Sequence, residues 1–84
     1  QDKTIEREEN EAKRKLFTKK FAETIKAVRK SKKLTQEEVA ARAGLHESYY
    51  GHIELRRFRP SLFVAWKIAK ALGVNLHELT NFTS

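Results

Sequence analysis

The chain has 84 residues and a mass of 9.8 kDa, which makes room for one small domain. Hydrophobic residues are 39% and charged residues 35%, with no Cys and no Met, so the core must be compact and thiolate metal sites, disulfides and a Cys nucleophile are excluded. Lys and Arg outnumber Asp and Glu by 18 to 11, a net charge of +7, which points first to a polyanionic partner. There is no run of apolar residues long enough for a membrane span, and the polar N-terminal segment has no signal-peptide character, so no membrane association is expected. The first residue is not Met, from which we expect a trimmed chain or a piece of a longer one.

Charge is distributed unevenly. Residues 1–20 carry seven basic and five acidic side chains, against eleven and six in residues 21–84. The first segment is blocky: Glu6, Glu8, Glu9 and Glu11 precede Lys13, Arg14, Lys15, Lys19 and Lys20. A solvated helix with pairs such as Glu9 with Lys13 and Glu11 with Lys15 would suit it. With no apolar face before Leu16 and Phe17, the first dozen residues could equally be frayed. Residues 1–15 therefore read as a charged N-terminal extension or linker, and residues 16–84 as the domain.

Five helices and no strands are expected. The first runs from about residue 12 or 16 to Ser31, with Phe17, Phe21, Ile25 and Val28 on one face. Thr35 opens the second with a capping box to Glu38, its inward face being Val39, Ala40 and Ala43, and Gly44 ends it. A third, from about His46 or Glu47 to Leu55, buries Tyr50 and Ile53. After the loop Arg56–Pro60, Ser61 or a neighbour starts the fourth, with a stripe of Leu62, Ala65, Ile68, Ala69 and Leu72 and a stop at Gly73. Asn75 begins a short fifth helix through a second capping box to Glu78, contributing Leu76, Leu79 and Phe82.

Residues Gln36 to Leu55 form one unit: small Ala40 where two helices cross, a tight turn at Gly44, an anchor at Leu45, and Tyr50 and Ile53 beneath the following helix. This is the pattern of a helix-turn-helix. The stretch LTQEEVAARAGLHESYYGHIE, followed by RRFRPS and KIAKALGVNLHEL, resembles the phage-repressor/Cro-like, XRE-type family, which includes the controller proteins of restriction–modification systems. The resemblance covers about residues 21–80. It implies an all-α, compact five-helix repressor-like domain that binds double-stranded DNA as a transcriptional regulator. The third helix would enter the major groove, usually as a homodimer on a pseudo-palindromic operator.

Carried over residue by residue, the resemblance assigns base reading to Glu47, Ser48 and His52, with Tyr49 and Gly51 beside them. Glu47 can accept from the cytosine amino group, Ser48 can bond several base edges, and His52 can donate to a guanine acceptor. Gly51 would remove a side chain from the exposed face and admit DNA closely. Gln36 resembles the residue that bonds a backbone phosphate at the start of the second helix, with Lys26, Lys33, Arg56, Arg57 and Arg59 flanking the groove. Arg29 and Glu54 match a structural ion pair, and Ala40, Gly44, Tyr50 and Ile53 match the scaffold beneath the turn. His46 stands where Ser, Thr or Asp usually caps, and is expected to be a poorer cap that approaches a phosphate instead. Arg56 stands where Gly is common, so a reshaped or mildly strained turn is expected. Tyr50 stands where Ile or Val is usual, so the core must accommodate a ring and its hydroxyl.

The exposed aromatics suggest an interface, and pairing through Trp66, Leu76, Leu79 and Phe82 is expected. Folding back of the N-terminal extension over some of these rings is the alternative. A protein-binding antitoxin-type module is the competing function. No enzyme is expected: there is no convincing Ser-His-Asp arrangement, glycine-rich phosphate loop or carboxylate pair. His46 and His52 do not share a helical face, so no metal site, cofactor or small-molecule ligand is expected. The location that follows is cytoplasmic, bacterial or phage-encoded, and nucleoid-associated when bound.

Overall fold

The computed structural model describes residues 3–82. Its helices are α1 (Lys3–Ser31), α2 (Gln36–Ala43), α3 (Glu47–Glu54), α4 (Leu62–Leu72) and α5 (Leu76–Thr80), and no strand occurs among the described residues. Phe21, Ala22 and Ile25 of α1 pack with Val39, Ala40 and Ala43 of α2, Tyr50 and Ile53 of α3, Ala65, Ile68, Ala69 and Leu72 of α4, and Leu79 of α5. Alanines at the α2–α4 contact let the two backbones approach closely, as ridge-into-groove packing requires.

The helix ends follow the capping chemistry. Thr35 Oγ1 accepts from Glu38 N–H at 3.0 Å while the Glu38 carboxylate accepts from Thr35 N–H at 2.8 Å. Asn75 and Glu78 repeat the exchange at 2.9 Å in both directions. Ser61 caps α4 through Val64 N–H at 3.1 Å. Gly44 and Gly73 close α2 and α4 with φ of 69° and 75°, a left-handed geometry that a Cβ would penalise.

Three expectations are corrected. The first helix begins at Lys3 rather than at residue 12 or 16. Residues 4–10 are all exposed, so burial against the domain does not hold these turns. Glu11 pairs with Arg14 at 3.7 Å and with Arg59 at 3.2 Å instead of with Lys15, and Glu9 and Lys13 form no ion pair. Phe17 is 49% exposed and Leu62 76% exposed, so neither is a core residue. Leu62 is in phase with Ala65 and Ile68. As the first residue of α4, however, its side chain tilts back past the end of the packed layer, where no neighbouring element covers it.

At 29 residues α1 extends about 43 Å, which accounts for most of the longest dimension of 47 Å; the other two are 24 and 19 Å. Among the described residues no helix is long and apolar enough to cross a membrane, and no group of three or more His, Cys, Asp or Glu could hold a metal ion.

Candidate nucleic-acid interface

The two helices of the central unit meet across a turn of two non-helical residues beyond Gly44. Leu45 N–H donates to Ala40 at 2.8 Å and Gly44 N–H to Ala41 at 3.2 Å, which satisfies the last carbonyls of α2 and reverses the chain. His46 then caps α3. Its Nδ1 accepts from Ser48 N–H at 3.3 Å and lies 2.9 Å from Ser48 Oγ. His46 thus caps α3, at a longer distance than the 2.9–3.1 Å of the Thr35, Ser61 and Asn75 caps.

Beneath α3, Tyr50 and Ile53 are fully buried, and a polar network fixes its C-terminal end. Arg29 Nε donates to Glu54 Oε2 at 2.7 Å and Nη2 to Oε1 at 3.1 Å, a bidentate pair, while Nη1 donates to Leu34 O at 2.9 Å. Gln36 Nε2 adds a bond to Glu54 Oε1 at 2.9 Å. The Glu54 side chain is 2% exposed. Burial pushes its carboxyl up, but the hydrogen bonds from Arg29 and Gln36 and the guanidinium charge outweigh burial and hold it below the usual carboxylate range. The Tyr50 hydroxyl lies near this pair, buried and without a hydrogen-bond partner among the described residues. Burial first, and then the Glu54 carboxylate, push its phenol up, so it stays neutral.

The opposite face of α3 is open. Glu47 and Ser48 are exposed, and Tyr49, Gly51 and His52 are partly so. Gln36 crosses from α2 onto this face: its Oε1 lies 3.4 Å from where a Cβ at Gly51 would stand. Gly51 therefore leaves room for the Gln36 side chain beside it, on a face that stays partly exposed. The loop after α3 closes the other flank. Arg56 is left-handed at φ 65°, as the missing Gly implied. Phe58 packs edge-on to His52 at 5.1 Å and beside Tyr49 at 5.8 Å, with Arg57 Nη1 at 3.5 Å from His52 Nδ1. Phe58 as a support for His52 was missed, because nothing in the spacing of RRFRP shows that the loop doubles back.

The fold and this unit decide the family: residues 25–79 match the helix-turn-helix family model. The chain belongs to the XRE-type helix-turn-helix family of DNA-binding regulators.

Relatives of this helix-turn-helix protein include regulators of several kinds. It is 44% identical over 55 residues to the immunity repressor protein of Bacillus phage phi105, a match covering 66% of this chain and 38% of the repressor. An uncharacterised HTH-type transcriptional regulator of Sinorhizobium fredii is 40% identical, covering 83% of this chain and 86% of that protein. Control protein C.BamHI of Bacillus amyloliquefaciens is 37% identical over 76% of this chain and 80% of its own length. Among solved structures, the restriction-modification controller protein C.AhdI of Aeromonas hydrophila superposes with a TM-score of 0.72 at 35% identity, covering 74% of this chain and 94% of that one.

The remaining site residues fall into three groups. Lys26, Lys33, Arg56 and Arg57 are exposed cations, and Arg59 is engaged by Glu11. Ala40 and Gly44 form the crossing and the turn. Of the residues named for pairing, Leu79 is completely buried in the core of the single chain and leaves that surface. Phe82 packs edge-on against Phe17 at 5.1 Å, and Leu76 is half-buried. Trp66 remains exposed, with Phe63 stacked on it at 6.0 Å and Leu62 nearby on the same helix.

Proposed function

We propose that this regulator inserts α3 into the major groove of an operator with two related half-sites, one for each copy in a homodimer. The observation that carries this reading is the division of α3 into two faces. Tyr50, Ile53 and Glu54 are locked into the domain, while Glu47, Ser48 and the edge of His52 face outward. Glu47 is an acceptor for a cytosine amino group. The Ser48 hydroxyl, able to donate and to accept, suits several base edges. His46, the second N–H of Gln36, and Lys26, Lys33, Arg56, Arg57 and Arg59 serve phosphates, which set register rather than sequence. The bases are read by α3, and the backbone by what surrounds it.

Dimerisation is assigned to the outer face of α4, where Leu62, Phe63 and Trp66 form an exposed apolar patch continuous with Leu76. Lys67 and Lys70 lie over the Phe63 and Trp66 rings at 5.3 and 4.7 Å, keeping the rings solvated at their rim. A bacterial or phage regulator of this kind acts in the cytoplasm, on the nucleoid.

The test is selection of duplexes from a random pool at about 0.15 M salt with excess competitor DNA. An enriched motif with two half-sites about one helical turn apart is expected. Weak binding that ignores sequence and vanishes with added salt would overturn the reading. Glu47→Ala should then relax the preference at one base pair in each half-site, by about 1–3 kcal/mol.

A further inference from the structure

We infer that the N-terminal half of α1 is a second self-association surface, on which a second copy of this chain pairs antiparallel, α1 against α1. This contact is separate from the α4 patch and from α3, and its Leu16 end adjoins the loop that carries Arg56 and Arg59. At 3.6 residues per turn, Ile5, Ala12 and Leu16 fall within about 40° of one another. The α1 face that packs on the domain, Phe21 and Ile25, lies about 160–200° around from them. The stripe therefore lies on the side of α1 opposite its packed face, with Leu16 at its domain end bordered by Arg56 and Arg59 on one flank and by Phe82 on the other. Ile5 is 53% exposed and Leu16 44% exposed, and Ala12 is exposed between them. A helix that is polar almost all round, with one thin apolar stripe and few internal ion pairs, has little of its own to hold it together.

The charges select the occupant. Beside the stripe stand Glu8 and Glu9 in the first half, and Lys13 and Lys15 in the second, none of them in an ion pair among the described residues. In the antiparallel register that sets Ile5 against Leu16 of the second copy, Glu8 and Glu9 of each copy face Lys13 and Lys15 of the other. Each favourable contact occurs twice by the two-fold symmetry. The like-charged Arg7 and Arg14 point to the opposite side of the helix, toward the domain. A parallel arrangement would instead set Glu8 and Glu9 against themselves, and the lysines likewise, which like-charge repulsion disfavours. Small Ala12 near the crossing lets the two backbones approach. The stripe is short, so the contact belongs to the weak class that acts between copies already held close, as on neighbouring sites of one DNA molecule.

Because the chain has no cysteine, the register can be trapped cleanly. Full-length Ile5→Cys and Leu16→Cys proteins are prepared separately, and each alone and their equimolar mixture are oxidised and read by mass. The expected result is a disulfide dimer in the mixture joining the two variants, well above what either forms alone. Adding Glu8→Lys and Glu9→Lys to both proteins should abolish it. Pairing Glu8→Lys/Glu9→Lys in one with Lys13→Glu/Lys15→Glu in the other should restore it, a rescue that loss of helix in either variant could not produce. Absence of the mixed dimer, equal yields from single variants, or indifference to the charge exchanges overturns the inference. So does Lys13→Glu/Lys15→Glu weakening duplex DNA binding with no mixed dimer formed, because DNA would then be the occupant.

Discussion

At Glu54, burial and hydrogen bonding act against each other on one carboxyl group, and hydrogen bonding wins. A carboxyl whose folded pKa lies below its unfolded value of about 4.5 stabilises the fold fully above that value and loses the contribution as pH falls through the folded one. Urea unfolding should therefore show stability falling below about pH 4.5, and Glu54→Gln should remove part of that fall. The variant leaves Arg29 with an uncompensated charge, so it should cost about 3 kcal/mol at pH 7 and approach the parent at low pH. Parallel curves for the two proteins would contradict the assignment. Arg56 holds φ at 65° with a Cβ in place, a conformation that costs a non-glycine residue about 1 kcal/mol. Arg56→Gly should raise stability by about 0.5 kcal/mol in the same assay, the added freedom of the unfolded chain cancelling the rest.

Among the elements, α2 depends most on its entry. Thr35 N–H bonds to Glu38, the largest of the effects that hold that exposed carboxylate below its usual range, and the Thr35 hydroxyl completes the exchange. Thr35→Ala should cost about 1 kcal/mol in thermal or urea unfolding, with the helix boundaries otherwise kept. Such ends were legible in the sequence because a cap is chemistry between near neighbours: Thr35 with Glu38, Asn75 with Glu78, and Gly44 and Gly73 at their stops. The start of α1 was not legible, since turns that bury nothing leave no periodic signal. Leu62 and Phe17 had the right phase for the core, but phase cannot say where the neighbouring helices stop. In the site, the outward positions of Glu47 and Ser48 were legible through the family resemblance of the LTQEEVAARAGLHESYYGHIE stretch, and both side chains are exposed. The meeting of Gln36 with Gly51, and of Phe58 with His52, depends on how separate segments cross, which no local pattern encodes.

As a whole molecule, the protein carries a net charge of +7 and sets Arg56, Arg57 and Arg59 in the loop that follows α3, so affinity for duplex DNA should fall steeply as salt rises. Arg57→Ala should lower the slope of log affinity against log salt by about 1 per subunit, and weaken selected and unrelated duplexes alike. Measurement of binding from about 0.05 to 0.3 M salt would show this; a loss confined to one sequence would instead make Arg57 a base reader.

The two faces of α3 also bear on how such a regulator changes over evolution. The residues that hold the helix in place, Tyr50, Ile53 and Glu54, are distinct from those turned outward, Glu47 and Ser48. Substitutions outside can therefore accumulate with little penalty to folding, and a duplicated copy can drift to a new target while its scaffold is inherited intact. Gly51 belongs with the outward residues: a Cβ there would meet the Gln36 carboxamide oxygen at 3.4 Å, an ordinary contact with the end of a flexible side chain, so small residues should be admitted at this position as the outer face diversifies.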